Sequence, residues 1–313
     1  MSFSIERAKI ACNRTSGGLD PSPGAAEWKR GSWPDRLAVF RQSTYLVQAY
    51  ADPRVLPPRV RVVAFREPGL SCRLRCRLGP LQAQMSCEPC NLSRDYGGRE
   101  MIDGYFLDCP LDPFTERPAS IQIASPEACM ELGIVYPEQK WSFGACLGPV
   151  HRRPGIGEAE AVERLRRHLA YARFAGVEKV VVYAYSLSIA EEKVLKSFGD
   201  FIRLVPWPKL DQLLPEEFFE SSRMHYMGQT TMLADCLMQQ VAARAAFTAF
   251  ADSDEFFWIN NASGKAGWLL DWLRLRSTDE AAFCFQHQAA APFHWHGDDA
   301  LRENAHFWPV SGL

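Results

Sequence analysis

Between residues 35 and 140 the apolar positions fall in short runs with strand-like alternation, and no 3.6-residue period emerges. Residues 44–50, 60–65 and 121–123 are the clearest of these runs. Pro53, Pro57, Pro58, Pro68, Pro80 and Pro89 punctuate the region. The pattern predicts a small, sandwich-like antiparallel β domain. Residues 1–34, rich in Gly, Pro and Ser, read as a disordered leader.

After Trp141 the rhythm changes. Residues 146–150 predict a short buried strand, and Val162, Leu165, Leu169 and Ala172 recur at helical spacing until Gly176 stops the helix. The continuous apolar run 180–183 predicts a strand covered on both faces. Ser188 sits at an N-cap position before a helix holding Val194, Leu195 and Phe198, which Gly199 ends. A strand over 201–205, a helix from about Gln229 to Ala243 and a strand over 245–251 complete the series. Strand–helix alternation of this kind predicts an α/β domain over 141–313, mainly a parallel sheet with flanking helices.

The last of these strands runs into Asp252-Ser253-Asp254-Glu255-Phe256. Residues two apart on extended backbone share a side, so Asp252 and Asp254 can converge on one target. Two adjacent carboxylates need a cation or protons to offset their repulsion. Hard oxygen ligands suit Mn²⁺ or Mg²⁺, whose remaining ligands are typically substrate phosphates. In parallel sheets ligands bind beyond the carboxyl ends of the strands, which is where this cluster falls. Read alone, a D-x-D is more often a solvated acidic turn.

Bulk properties narrow the field. The chain has 313 residues, 47% hydrophobic and 23% charged, with a net charge of -2. That balance argues against a general nucleic-acid or anionic-membrane binder. Arg152-Arg153 and the group Arg164, Arg166 and Arg167 read as solvated surface. No run approaches the ~20 apolar residues of a membrane helix, and residues 1–35 lack the apolar core of a signal peptide. No G-x-G-x-x-G, P-loop or G-x-S-x-G motif occurs. Cys72, Cys76, Cys87, Cys90, Cys109, Cys129 and Cys146 crowd one stretch. Disulfides are the favoured reading and a four-thiolate zinc site the competing one. Sequons at Asn13, Asn91 and Asn261 are compatible with a secretory compartment.

The ordered set Tyr50-Ala51-Asp52-Pro53-Arg54, Val180 to Tyr183, Val205-Pro206-Trp207-Pro208, Gly228-Gln229 with Asp235-Cys236, and Asp252 to Phe256 resembles glycosyltransferase family 92. The resemblance implies a GT-A fold and an inverting galactosyltransferase that uses UDP-galactose and Mn²⁺ on a glycan acceptor, in a Golgi type II membrane protein. It implies that Asp254 ligates the metal, that Asp252 binds the ribose or a metal-bound water, and that Glu255 orients the cluster or reaches the donor sugar. Gln229 and Asp235 are further candidates for donor contact. Six residues apart on one helix, they differ in direction by roughly 120°, so both are not expected to face one pocket.

The chain departs from the family pattern in two places. Ala184 and Tyr185 follow Tyr183 where the family has a polar residue, and only a short stretch follows Phe256. That stretch offers His287, His294, His296 and His306 as candidates for a late metal ligand, His306 foremost, and Asp298 and Asp299 as candidate bases. A C-terminally truncated enzyme is the expectation these departures raise. An inactive carbohydrate- or nucleotide-sugar-binding protein is the alternative function. An interaction protein built on the Cys-rich half is a third.

Overall fold

The computed structural model describes residues 38–40, 44–66, 72–89, 103–111, 117–125, 129–151, 155–207, 228–257, 265–276, 283–285 and 307–309. Nine strands of the N-terminal half are β1 (Ala38–Phe40), β2 (Thr44–Asp52), β3 (Arg59–Arg66), β4 (Arg75–Leu78), β5 (Leu81–Gln84), β6 (Ser86–Pro89), β7 (Asp103–Pro110), β8 (Ser120–Ala124) and β9 (Cys129–Val135). They form one sheet in the order β5-β4-β8-β9-β2-β3-β7-β6, with β1 on β2. Every pairing is antiparallel except β2 with β9. The sheet curls into a nearly closed barrel, where the sequence pattern predicts a sandwich. Cys76 on β4 and Cys109 on β7, near opposite ends of the strand order, are joined by a disulfide. That link is possible only if the ends of the sheet meet. Cys72–Cys87 bridges the same seam, so these four cysteines are disulfide partners and not zinc ligands.

The second sheet contains β10 (Phe143–Val150), β11 (Lys179–Ala184), β12 (Ile202–Pro206) and β13 (Phe247–Phe250). All its pairings are parallel, in the order β12-β11-β10-β13. Helix α1 (Glu158–Ala175) links β10 to β11, and α2 (Ile189–Ser197) links β11 to β12. Helix α3 (Gln229–Ala242) precedes β13, and α4 (Trp268–Arg276) follows it. The helix ends follow the signals in the sequence. Gly176 closes α1 in the left-handed region, and Ser188 with Glu191 forms a capping box on α2. A short strand pair, β14 (Phe283–Phe285) with β15 (Phe307–Pro309), lies apart from both sheets in the strand pairing. No helix among the described residues is long and apolar enough to cross a membrane.

Strand alternation divides the interior. On β11, Val180 and Val182 pack with α1, α2 and α4, while Val181 and Tyr183 face α3. The far side of α3 lies on β2 and β3 of the barrel, against Tyr45, Val47, Tyr50, Val63 and Phe65. A bulge at Val47, between the Leu46 and Gln48 pairings, makes this possible. Before it, Tyr45 and Val47 face α3; after it the phase is reversed, Ala49 enters the barrel interior and Tyr50 faces α3.

The Tyr50-Ala51-Asp52-Pro53-Arg54 element has a structural use in the barrel. Asp52 is fully buried and accepts both Nε and Nη2 of Arg54, with Arg61 3.5 Å away. Arg61 in turn forks onto Asp108. Burial alone raises the Asp52 carboxyl, but the Arg54 fork and the Arg61 charge outweigh it and hold the group below its ordinary range. A folded value below the unfolded ~3.9 stabilises the fold above that pH, and the stabilisation is lost as pH falls through the folded value. Asp52→Asn is therefore expected to lower stability at pH 7 and to flatten the acid limb of the stability curve below about pH 4. Urea denaturation across that range measures both, and an unchanged acid limb would remove Asp52 from the account.

Candidate functional site

The strand order places one crevice by topology. The chain steps from β10 to β11 to β12 in one direction, then returns to lay β13 on the opposite side of β10. The carboxyl ends of β10 and β13 thus flank a switch point, where parallel sheets leave room for ligands. A shallow open cleft lies there, lined by Val150 and His151 from the end of β10, Glu158, Ala161 and Arg164 of α1, Glu191 of α2, and Ser253. Gly148, just before that end of β10, has φ +130, and a Cβ there would come within 2.8 Å of the Tyr183 carbonyl. Only glycine suits such backbone and such an approach.

The acidic segment leaves β13 directly into this crevice. Its turn is held from within, because the Asp252 N–H donates to Glu255 Oε2 at 2.8 Å and the Glu255 N–H to the Asp252 carbonyl at 3.0 Å. Gln229, first residue of α3, brings its Nε2 to 3.5 Å from Asp252 Oδ1. Asp254 is the more exposed carboxylate, and its Oδ2 accepts Arg164 Nη1 at 3.0 Å. From behind, Tyr171 of α1 donates its hydroxyl to the Phe257 carbonyl, and His168 abuts the Glu255 backbone. Burial holds the His168 imidazole below its ordinary range, although Glu255 and Asp254 pull the other way. Its Nδ1 is buried without a hydrogen-bond partner.

Asp235 lies elsewhere. It is buried in the middle of α3, with Oδ1 2.6 Å from the Tyr50 hydroxyl and Oδ2 2.6 Å from the Tyr183 hydroxyl. Gln239 Nε2 donates to both Asp235 Oδ2 and the Tyr183 oxygen, each at 2.8 Å. Burial, and then the Asp235 carboxylate, push the Tyr183 phenol well above its ordinary range, so it stays a hydroxyl donor. One carboxylate thereby ties barrel strand β2 to parallel strand β11. Beside it, the disulfide Cys146–Cys236 ties α3 to β10.

Of the residues singled out in the sequence, the structure gathers Asp252, Asp254, Glu255 and Gln229 and separates Asp235 from them. His287, His294, His296, Asp298, Asp299 and His306 lie outside the described residues. Among those described, no three His, Cys, Asp or Glu side chains converge as a metal cage. Asp252 and Asp254 are the carboxylates that could hold a cation. The sequence reading missed Arg164, His168 and Tyr171. By sequence Arg164 groups with Arg166 and Arg167, which do pair with Glu163 on the exposed face of α1. The available signal was the 164, 168, 171 spacing, which forms a stripe on one side of a helix.

The sequence model of glycosyltransferase family 92 matches residues 143–310, more than half of the chain. The matched span opens at β10 and includes the switch-point cleft and the acidic segment. No curated protein and no solved structure matches the chain significantly.

Replacing Asp235 by Ala would leave two buried phenols and an amide without their shared acceptor. The expected loss is about 3 kcal/mol of folding stability or more, since each orphaned buried donor costs ~1–3 kcal/mol. Asp235→Asn, which still accepts one hydrogen bond, should lose less. Guanidinium denaturation decides it, and an Ala variant within about 1 kcal/mol of the parent would deny the network its fastening role.

Proposed function

This chain belongs to glycosyltransferase family 92, and we propose that its switch-point cleft binds a UDP-sugar with a divalent cation and transfers the sugar to a glycan hydroxyl. Within this reading the donor is UDP-galactose, the cation Mn²⁺, the α/β part of the chain a GT-A-type domain and the reaction inverting. The observation that carries it is the placement of the Asp252–Asp254 segment by β13 at the strand switch point, beside a cleft that Ser253 and the Asp254 partner Arg164 line.

The donor set fits a hard divalent ion. Asp252 and Asp254 offer hard carboxylate oxygens two residues apart, the donor type of an ion whose other ligands are phosphate oxygens. When bound, such a cation offsets the negative charge that develops on the departing diphosphate. The protein's own groups do the positioning. Gln229 orients Asp252, Glu255 closes the turn, and α1 supports the loop from behind. In the transfer, the acceptor hydroxyl oxygen bonds to the anomeric carbon as the bond to the diphosphate oxygen breaks. The hydroxyl proton passes to a carboxylate, for which Asp298, Asp299 and Glu255 are the candidates. Glu255 already uses one oxygen on the Asp252 N–H, which favours the other two. The disulfides among the described residues accord with an oxidising compartment, and the Golgi lumen is the site we assign.

Calorimetric titration of UDP with Mn²⁺, and again with EDTA, tests the donor site. Binding is expected only with the metal, and Asp254→Ala should abolish the metal-dependent part. Equal affinity in that variant would defeat the reading. Release of UDP from UDP-galactose, with and without glycan acceptors, then separates a transferase from a protein that binds the donor without turnover.

A further inference from the structure

Helix α1 touches the acidic segment through three side chains on one stripe, and the three contacts differ in kind. His168 and Tyr171 meet backbone: the first lies against Glu255, the second donates to the Phe257 carbonyl. Both also pack on the Phe256 ring, at centroid distances of 5.9 and 5.1 Å. Neither contact engages a carboxylate of the segment. Arg164 meets a functional side chain instead, with Nη1 on Asp254 Oδ2 at 3.0 Å and Nη2 on Glu160 Oε1 at 3.0 Å.

The Arg164–Asp254 pair has the marks of a contact made to be broken. Its partners are 29% and 37% exposed, and exposed ion pairs contribute only ~0–1 kcal/mol. It occupies the carboxylate that a cation would need. Arg164 also lines the cleft, whose other described lining residues include Glu158 and Glu191. A diphosphate entering that cleft needs a cationic partner there, and a guanidinium fork matches phosphate oxygens in geometry. We propose that Arg164 is a donor-binding residue that exchanges partners. In the cation-free protein it neutralises Asp254; on loading it yields that carboxylate to the cation and turns to the donor diphosphate. The inference rests on the reading of the cleft as a metal-dependent nucleotide-sugar site.

Arg164→Gln and Arg164→Lys, in the full chain, test the exchange through two separate titrations. One follows Mn²⁺ binding without nucleotide, by the EPR signal of the free ion. The other follows UDP binding at saturating Mn²⁺, by calorimetry. Arg164→Gln should bind Mn²⁺ alone about threefold more tightly, because an exposed competing pair is removed. It should bind UDP at least about tenfold more weakly, because a charged hydrogen bond to phosphate is lost. Arg164→Lys, which keeps the charge without the fork, should fall between the parent and Gln in both.

Opposite movement of the two affinities supports the exchange. Weakening of both would make Arg164 an orienter of Asp254 only and overturn it, as would unchanged UDP affinity or a Lys variant equal to the parent. If the parent protein itself shows no Mn²⁺-dependent UDP binding, the functional reading falls and this inference with it. If the parent binds and the Gln variant binds identically, this inference alone falls.

Discussion

Enclosure of α3 between two sheets is the constraint on which the remaining geometry depends. Most of its residues are buried, so the helix must satisfy a barrel face on one side and a parallel sheet on the other. Apolar side chains such as Met232, Ala234 and Met238 fill most of that space. Two of the polar groups that enter it are paired across it. Asp235 accepts hydroxyls from both sides, and Gln240 accepts the Trp141 indole N–H at 2.6 Å. The approach to β10 is so close that a Cβ at Gly144 would meet the Gln240 amide at 1.8 Å. Burying a carboxylate is costly unless its oxygens are occupied, and here they are.

That enclosure reaches the cleft through the ends of the elements involved. The same helix that locks Asp235 between the sheets begins at Gln229, which faces Asp252. The strand that carries Tyr183 ends at Ala184, where the cleft opens beyond the sheet. The barrel, although it contributes no described residue to the cleft wall, therefore takes part in setting the position of the acidic segment. Its Tyr50 and Asp52 divide the labour: the tyrosine reaches α3, and the aspartate closes a charge cluster with Arg54 and Arg61. From the opposite face, α1 supplies the loop with two backbone grips and one ion pair. The acidic segment is thus held between elements from both layers.

Much of this is legible in the sequence. The parallel strands, helices α1 to α3 and their caps followed from apolar period and from Gly176 and Ser188, because those signals act through neighbours within a turn or two of the chain. Helix α4 was missed. Its contribution is the burial of Trp268 against the α1 side of the sheet, a fact about packing and not about period. The curl of the barrel was missed for a similar reason. Alternation reports which positions face inward, and it says nothing about whether a sheet's first and last strands meet.

The sequence by itself determined the chemistry available: a carboxylate pair at a strand end, a helix start with Gln229, and an element with Tyr50, Asp52 and Arg54. Local rules of period, capping and charge suffice for that. Which of these groups share a site was decided only by the tertiary structure. Helical geometry already set Asp235 and Gln229 apart, but only the fold shows that the middle of α3 is enclosed between two sheets while its first residue lies at the helix end beside Asp252. Arg164 lies ninety positions before Asp254, and no local signal couples them. A parallel sheet whose strand order reverses brings them together, since packing chooses partners by direction in space and the chain records only order along its length.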